Sequence, residues 1–329
     1  MSPLKLQTII QACTDFRILH RCRGAYIRHA KGIWRHLPPS VQVLSPGRIY
    51  SRYLHSVVRR FADRRQSFGT FFLRNRPELQ LIRRLLDQKG LGSEANIAVL
   101  ACSKGAEVYS IVWAVRSARP DLKLRLHALD ISEEILNFAA GGVYSLAETD
   151  APKPKNREVK AAVGNVSWNT SRDQIAPISE RMTAAEVESI FEVEGDEANV
   201  RPWLKEGIHW LLGDAGDPQL VSTLGTQDIV VANRFLCHMQ PAAAEKCLRN
   251  IARLVKPGGY LFVSGIDLDV RTKVALDLRW KPVTDLIREV HDGDVSIRRG
   301  WPLEYWGLEP FDDRRPDWQV RYASVFQIG

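Results

Sequence analysis

The sequence lacks the features that define several large classes of protein. No apolar run approaches the roughly 18 residues of a membrane-spanning helix, so we expect the chain not to span a membrane. The first residues show no apolar h-region followed by a small-residue cleavage site, which argues against a secretory signal. The five cysteines are scattered without a Cys-x-x-Cys pair, which predicts neither a zinc site nor a disulfide framework. That cysteine usage favours a reducing, cytoplasmic location.

Acidic residues are almost missing from the first part of the chain. Residues 1–65 contain 13 Lys and Arg but only Asp15 and Asp63, a net charge of +11, whereas the remainder carries −3. A basic appendage on a slightly acidic body predicts an anionic partner, which is an acidic protein surface, a lipid headgroup layer or nucleic acid. A solvated helical face is an equally good interpretation. The interleaved aromatic residues would suit contact with a membrane surface or form a small local core: Phe16, Tyr26 and Trp34.

The chain has 329 residues, 45% of them hydrophobic and 26% charged, which is typical of a globular protein. From residue 96 onward, strand and helix patterns alternate, which predicts a mainly parallel sheet with helices on both faces. We predict strands at 97–101, 124–129, 208–212, 228–232, 259–264, 301–308 and 320–328. The last two strands leave no room for a crossover helix between them, so we expect them to pair antiparallel. We predict helices at 1–37, 49–61, 77–86, 106–118, 132–139, 216–223 and 241–255.

Two regions follow from these patterns. Residues 1–65 form a basic helical N-terminal region, and residues 66–329 form the α/β domain. The stretch at about 145–205 interrupts the alternation, because it is polar, contains Pro152, Pro154 and Pro177 and includes an acidic run. Its length exceeds an ordinary connection, which indicates either a functional insertion or a partly disordered excursion.

The most informative segment is the loop after the first strand. The apolar run 97–100 stops at small and polar residues, and a helical pattern starts at Glu107. Strand, tight loop and helix form the opening unit of an α/β nucleotide-type site. The second strand ends on Asp130, whose carboxylate can accept hydrogen bonds from a ribose diol. We therefore predict an adenosine-containing cofactor. A dehydrogenase is disfavoured, because the Gly-x-Gly-x-x-Gly pattern is absent and only Gly105 remains in this loop.

Five segments follow one another in an order that points to one family: TFFLR at 70–74, ACSKGAEVYS at 101–110, ALDIS at 128–132, DIVV at 228–231 and KPGGYLF at 256–262. Together they resemble the CheR-type class of S-adenosylmethionine-dependent methyltransferases, whose type member methylates receptor glutamates in bacterial chemotaxis. The resemblance covers about residues 66–266. It implies a class I methyltransferase (Rossmann-like) fold, with a mainly parallel sheet, an antiparallel last strand and an N-terminal helical extension. The donor, S-adenosylmethionine, has no pyrophosphate, so a loop without the glycine pattern suits it.

The resemblance also implies roles for individual residues. Glu107 would contact the amino group of the donor's methionine part, and Asp130 would bind the ribose. Asp214 would lie beside the adenine, and Asn233 would meet the methionine end. As alternatives, Glu107 is an acid that stabilises a helix start, and Asp214 is a turn residue. The predicted cofactor contacts are completed by Ala101, Ser103, Gly105 and Ile131.

At the acceptor end, the resemblance implies that Arg74 holds an acceptor carboxylate bidentately, with Arg234 as a second clamp. The segment ANRFLCHM at 232–239 departs from the family's CRNVLIYF, since Arg and Asn are exchanged and His238 stands at the tyrosine position. An ionised carboxylate acceptor needs positioning only, whereas an alcohol must lose a proton, which a histidine can take. As an alternative, His238 simply replaces one hydrogen-bonding ring by another. Late aromatic residues would either wall the acceptor pocket or form core: Trp301, Tyr305, Trp306, Phe311, Trp318 and Tyr322.

We therefore predict an S-adenosylmethionine-dependent O-methyltransferase that acts on a carboxylate of a small molecule or protein and needs no metal. One alternative is a hydroxyl O-methyltransferase for a sugar or natural product, with His238 as the base. Another is a non-catalytic cofactor-binding regulator. A nucleic-acid methyltransferase is disfavoured, because no Asn/Asp-Pro-Pro-Tyr/Phe sequence follows the fourth strand and a basic tail alone is a nonspecific signal.

Overall fold

The computed structural model of the chain describes residues 25–42, 44–60, 64, 69–146, 179–293 and 301–329. The chain divides into two compact units. We call residues 1–63 with 300–305 the N-terminal unit, and residues 64–299 with 306–329 the sheet unit. The limits at residue 65 and at about 145–205 that the sequence predicts remain our proposal for the domain organisation.

The described part of residues 1–63 in the N-terminal unit is built of helices. Its helices lie at 25–36, Pro39–Gln42 and Ser45–Arg60. A small core joins the two longer helices to the later segment of this unit: Ala30, Trp34, Leu54 and Val58, with Leu303 and Tyr305 packed against them. Trp34 is thus a core residue, whereas Tyr26 is 45% exposed. The predicted helix over residues 1–24, including Phe16, lies outside the described residues.

The sheet unit contains a seven-stranded and a three-stranded sheet. The strands are β1 Glu94–Leu100, β2 Lys123–Asp130, β3 Val143–Ser145, β4 Phe191–Glu194, β5 Glu197–Val200, β6 Ile208–Leu212, β7 Gln227–Val231, β8 Val255–Phe262, β9 Lys281–Pro282 and β10 Val325–Gln327. The larger sheet has the order β6-β2-β1-β7-β8-β10-β9. Its first five strands are parallel, and β10 is antiparallel to both β8 and β9. The predicted fold class, a mainly parallel sheet with an antiparallel last strand, is confirmed.

The central strand β1 is buried on both sides. Ile97 and Val99 belong to one hydrophobic cluster, and Ala98 and Leu100 belong to the other. Because side chains alternate across a strand, the two clusters lie on opposite faces of the sheet. The helices that accompany this sheet are Arg76–Leu86, Ala106–Ala118, Glu133–Gly141, Ala184–Ile190, Pro202–Lys205, Leu220–Leu224, Pro241–Ala252, Leu268–Asp277, Ile287–Gly293 and Trp318–Tyr322.

The described part of the predicted interruption packs on the core. Strands β3, β5 and β4 form the small antiparallel sheet. The rings of Tyr144 and Phe191 lie edge-on to Phe72, with centroids 5.2 and 4.9 Å away. A capping box between Thr183 and Glu186 starts the helix Ala184–Ile190. Residues 147–178 of the interruption lie outside the described residues.

The structure corrects the end of the chain. Residues 301–308 form turns rather than a strand, and a helix, Trp318–Tyr322, covers the first residues of the segment predicted as the last strand. The predicted antiparallel pairing of these two segments is therefore wrong, and β10 pairs with β8 and β9 instead. The aromatic residues there are held by separate tertiary contacts, which override their strand propensity. Trp301 packs on His55 at 3.9 Å, whereas the guanidinium of Arg234 lies over the Trp306 ring at 5.6 Å. The short strand β9 was not predicted.

One predicted helix begins later than expected. The segment 216–223 becomes a helix only at Leu220. Before it, Asp214 accepts a hydrogen bond from the backbone N–H of Gly216, and Asp217 accepts one from that of Gln219, both at 2.8 Å. Such side-chain turns compete with helix formation.

Candidate cofactor and acceptor site

A cavity of about 360 Å³ lies at the carboxyl ends of the central strands. Register places Leu100 of β1 opposite Leu129 of β2, and Val99 opposite Val231 of β7, so the three strands end at one edge. Ten of the eleven predicted site residues line the cavity: Arg74, Ala101, Ser103, Glu107, Asp130, Ile131, Asp214, Asn233, Arg234 and His238. Gly105 is not in the lining. Arg64, Thr70, Phe235 and Met239 line the cavity without having been predicted.

Asp130 organises the floor of the cavity from the end of β2. It is 4% exposed, and burial raises the pKa of its carboxyl, although backbone N–H groups oppose that shift. Its Oδ2 accepts a hydrogen bond from the backbone N–H of Ser103 at 2.8 Å, and its Oδ1 accepts one from that of Ser132 at 3.1 Å. Each carboxylate oxygen can accept a further hydrogen bond, so the residue can fix the loop and still bind a ribose hydroxyl.

The loop after β1 is strained in the way that functional loops often are. Ala101 and Ser103 both have a φ of +52°, a left-handed conformation that costs non-glycine residues free energy. Gly105 has a φ of +82°, and a Cβ there would lie 3.0 Å from Ala139 and 3.1 Å from Trp210. Gly105 therefore lets the helix Ala106–Ala118 start close to its neighbours, which is a supporting role.

Glu107 lies in the first turn of that helix and meets Asn233 from the end of β7. The side-chain amide of Asn233 donates a hydrogen bond to Glu107 Oε1 at 2.9 Å. The Asn233 oxygen accepts from the backbone N–H and the hydroxyl of Ser264, at 3.0 and 2.8 Å. The Asn233 side chain is thus engaged within the protein, and its backbone carbonyl is the better candidate for a contact with the methionine end.

Asp214 follows β6 and lines the same cavity. Its Oδ1 closes the turn with Gly216, which agrees with the turn interpretation. Its Oδ2 takes no part in that turn. A carboxylate can accept from the exocyclic amine of adenine, so the two interpretations of Asp214 are compatible.

Three arginines line the cavity, each held by a different contact. Arg74 donates a hydrogen bond from Nη2 to the Gly69 carbonyl at 2.9 Å. Arg234 has a φ of +61°, and its guanidinium lies over the Trp306 ring. Gly265 has to be a glycine here, because a Cβ would lie 2.5 Å from the Arg234 Cα.

Arg64 fixes the turn that carries His238. Its Nη1 donates to the carbonyls of Cys237 and Met239, at 2.9 and 2.7 Å, so it holds the backbone on both sides of His238. The His238 ring lies edge-on to Trp306, 6.4 Å between centroids. Arg64 belongs to the basic run that the sequence analysis noted, but its long-range contacts leave no local signal in the sequence.

Burial makes the cysteines of this region poor nucleophiles. It raises the pKa of Cys237 to about 11 and that of Cys247 to about 12. Within the described ranges, no group of three or more His, Cys, Asp and Glu is placed to hold a metal ion. In the same part of the chain, no helix is long and apolar enough to cross a membrane.

Comparison with known families agrees with this geometry. Residues 69–158 match the family model "CheR methyltransferase, SAM binding domain", and residues 179–263 match "Methyltransferase domain". With the strand order and the cavity at the strand ends, these matches define the chain as a class I S-adenosylmethionine-dependent methyltransferase. Within this class it is a divergent member, and the CheR match covers the part that carries β1, the loop after it and Asp130.

Individual relatives are distant. The chain is 23% identical over 202 residues to an uncharacterized 104.1 kDa protein in the hypE 3′ region of Rhodobacter capsulatus, which covers 59% of this chain but only 17% of that protein. Among solved structures, it is similar to the N-methyltransferase NodS from Bradyrhizobium japonicum WM9 in complex with S-adenosylhomocysteine (15% identity, TM-score 0.33, 64% of this chain and 78% of that one). It is also similar to magnesium protoporphyrin IX methyltransferase ChlM from Synechocystis PCC 6803 with bound SAM (14% identity, TM-score 0.32, 71% of this chain and 87% of that one). At these scores the class rests on the family matches and the fold.

Proposed function

We propose that this methyltransferase acts on an oxygen of a carboxylate, carried by a small molecule or a protein. The observation behind the proposal is the number of guanidinium groups in the cavity lining, where Arg64, Arg74 and Arg234 lie beside three acids. In the donor complex, Glu107, Asp130 and Asp214 serve the amino group, the ribose and the adenine. The donor brings a single carboxylate of its own, so three arginines exceed its needs. The arginines that the donor does not engage can donate hydrogen bonds to an acceptor carboxylate.

When bound, S-adenosylmethionine supplies a methyl carbon on a positively charged sulfur. A carboxylate acceptor is ionised at neutral pH, so no proton has to be removed from it. The residues of the chain then have to orient the acceptor oxygen and exclude water from it. Arg74 and Arg234 are the clamps we assign to that task.

The experiment that tests the proposal is an acceptor screen with donor labelled in its methyl group. We expect label to enter acidic peptides or small carboxylates as methyl esters, which release methanol on mild base treatment. Labelled products that are all stable to base, as ethers and methylamines are, would contradict a carboxylate acceptor.

A second candidate is methylation of a hydroxyl with His238 as the general base. It is favoured by one observation, that His238 lines the cavity on a turn held from both sides by Arg64.

For the N-terminal unit we propose an anionic lipid headgroup layer as partner, at a cytoplasmic location. Residues 16–62 contain no Asp or Glu. Apolar side chains are exposed beside the arginines of this unit: Ile33 46%, Leu44 56%, Ile49 69% and Tyr53 53%. Basic residues mixed with exposed apolar ones favour a lipid surface over a purely ionic partner.

A further inference from the structure

A buried carboxylate lies behind the half-buried Glu107. Glu78 is in the first turn of the helix Arg76–Leu86 and is only 5% exposed. Its Oε1 accepts a hydrogen bond at 2.7 Å from the Asn233 amide nitrogen, the same nitrogen that donates to Glu107 at 2.9 Å. One amide group therefore bridges two acids from two different helices, the buried Glu78 and the half-buried Glu107.

The orientation of Asn233 follows from its partners. Its NH2 group has two protons and faces two carboxylates, whereas its oxygen faces the N–H and hydroxyl of Ser264. The reversed amide would set its oxygen against both acids and its NH2 against a backbone donor. Glu78 and Ser264 thus lock the amide in the one orientation that can donate to Glu107.

The linings of two cavities show which residues face the cofactor space and which lie behind them. Glu107 and Asn233 line both the large cavity and a smaller one of about 20 Å³ behind it. Glu78 lines only the smaller one. Glu78 therefore does not reach the cofactor space directly, and it acts on that space through Asn233.

We propose that Glu78 is a positioning residue for the amino group of the donor. Through the Asn233 bridge, it fixes the direction of the Glu107 carboxylate and adds a second negative charge behind it. A donor ammonium that arrives at Glu107 meets a preorganised acceptor and a favourable field. The inference rests on the proposed contact between Glu107 and that ammonium.

The test compares two ligands that differ at this end of the donor. S-adenosylhomocysteine carries the amino acid part, whereas 5′-methylthioadenosine lacks it. Glu78→Gln keeps an oxygen that can accept from Asn233 but removes the charge, and Glu78→Ala removes both. We expect Glu78→Gln to weaken S-adenosylhomocysteine binding about tenfold, which corresponds to about 1.4 kcal/mol, with a larger loss for Glu78→Ala. Binding of 5′-methylthioadenosine, measured by the same calorimetry, should stay within about twofold.

The control for loss of one carboxylate is Glu94→Gln, on an exposed strand end away from the cavity. We expect both affinities to be unchanged in this variant. If the Glu78 variants weakened both ligands equally, Glu78 would be a structural residue and the proposal would be overturned. Ser264→Ala provides a milder perturbation of the same amide, and we expect a smaller loss for S-adenosylhomocysteine alone. No selective loss in Ser264→Ala would also contradict the bridge, even if the Glu78 variants failed to fold.

Glu107→Gln tests the proposed contact between Glu107 and the donor ammonium separately from the role of Glu78. We expect it to abolish most of the preference for S-adenosylhomocysteine over 5′-methylthioadenosine. An unchanged preference would overturn the assignment of Glu107, and the role of Glu78 with it. A lost preference in Glu107→Gln together with an intact one in Glu78→Gln would overturn the role of Glu78 alone.

Discussion

Asp130 accepts a 2.8 Å hydrogen bond from the backbone amide of Ser103, which ties the end of β2 to the strained loop after β1. We expect Asp130→Ala to remove both this tie and the predicted ribose contact. Leaving the Ser103 N–H unpaired should cost about 1–3 kcal/mol of unfolding free energy. Calorimetry with S-adenosylhomocysteine should show at least about a tenfold loss of affinity. Glu133→Ala removes a nearby exposed carboxylate and should change neither; a full affinity in Asp130→Ala would contradict the ribose assignment.

The contact between Gly265 and Arg234 predicts a steric effect that can be measured. Gly265→Ala places a Cβ 2.5 Å from the Arg234 Cα at a φ of +58°, whereas Gly258→Ala has nothing within 4 Å at a φ of +78°. Both substitutions should lower the unfolding free energy by about 1–2 kcal/mol, because alanine disfavours a left-handed backbone. Only Gly265→Ala bears the overlap, about 1–3 kcal/mol more. Equal denaturant midpoints for the two variants would show that the loop absorbs the overlap without cost.

The role of His238 separates the two acceptor chemistries. With a carboxylate acceptor, we expect His238→Asn to retain kcat within about tenfold, because no proton is removed. With a hydroxyl acceptor, loss of the general base should lower kcat by about 10²- to 10⁴-fold. Turnover should be measured with the acceptor found by the screen, and S-adenosylhomocysteine affinity should be recorded to confirm that the cofactor site is intact.

Asp228, at the start of β7, predicts how stability depends on pH. Burial acts to raise the pKa of its carboxyl, but the backbone N–H of Asn96 and the ammonium groups of Lys256 and Lys89 outweigh it and hold the pKa below its usual value. A depressed pKa gives stability that is present above the ordinary value of 3.8 and is lost as the pH falls toward the folded value.

We expect Asp228→Asn to lower the unfolding free energy by about 1–3 kcal/mol at pH 7 and to flatten its fall in acid. Denaturant titrations between pH 3 and 7 measure both effects. Asp285→Asn is the matched control, because it breaks an exposed pair with Arg84 and should cost less than about 1 kcal/mol. If the unfolding free energies of wild type and Asp228→Asn fell in parallel as the pH was lowered, the loss of stability in acid would come from other carboxylates.

The lipid proposal for the N-terminal unit predicts binding to vesicles of phosphatidylcholine with phosphatidylglycerol but not to phosphatidylcholine alone. Each basic residue near an anionic surface contributes about 1 kcal/mol, so the double variant Arg48→Glu, Arg60→Glu should bind at least about tenfold more weakly. The same charge change at exposed Arg83 and Lys123 in the sheet unit should leave binding unchanged. If both double variants weakened vesicle binding equally, the proposed lipid surface would be contradicted. Binding of the protein to nucleic acid or to an acidic protein, but not to vesicles, would contradict it as well.

Local sequence predicted the parts of the fold that local patterns control. The helix Ala106–Ala118 begins and ends where the sequence predicts, because a glycine precedes its apolar run. Asp130 and Asn233 were placed at one edge because parallel strands end there together. Local sequence does not predict the roles of Arg64 and Glu78, because these roles come from contacts with residues 155 to 175 positions away in the chain. The same cause explains the missed strand β9, whose two residues pair with β10 from more than 40 positions later in the chain.

The place of β10 in the sheet also sets an order of assembly. This strand lies between β8 and β9, so β9 has no neighbour in the sheet until residues 325–327 arrive. During synthesis, the parallel strands that carry Asp130 and Asn233 emerge long before that event. The methyl-donor pocket can therefore form during synthesis, before β9 and β10 are paired at the other edge of the sheet.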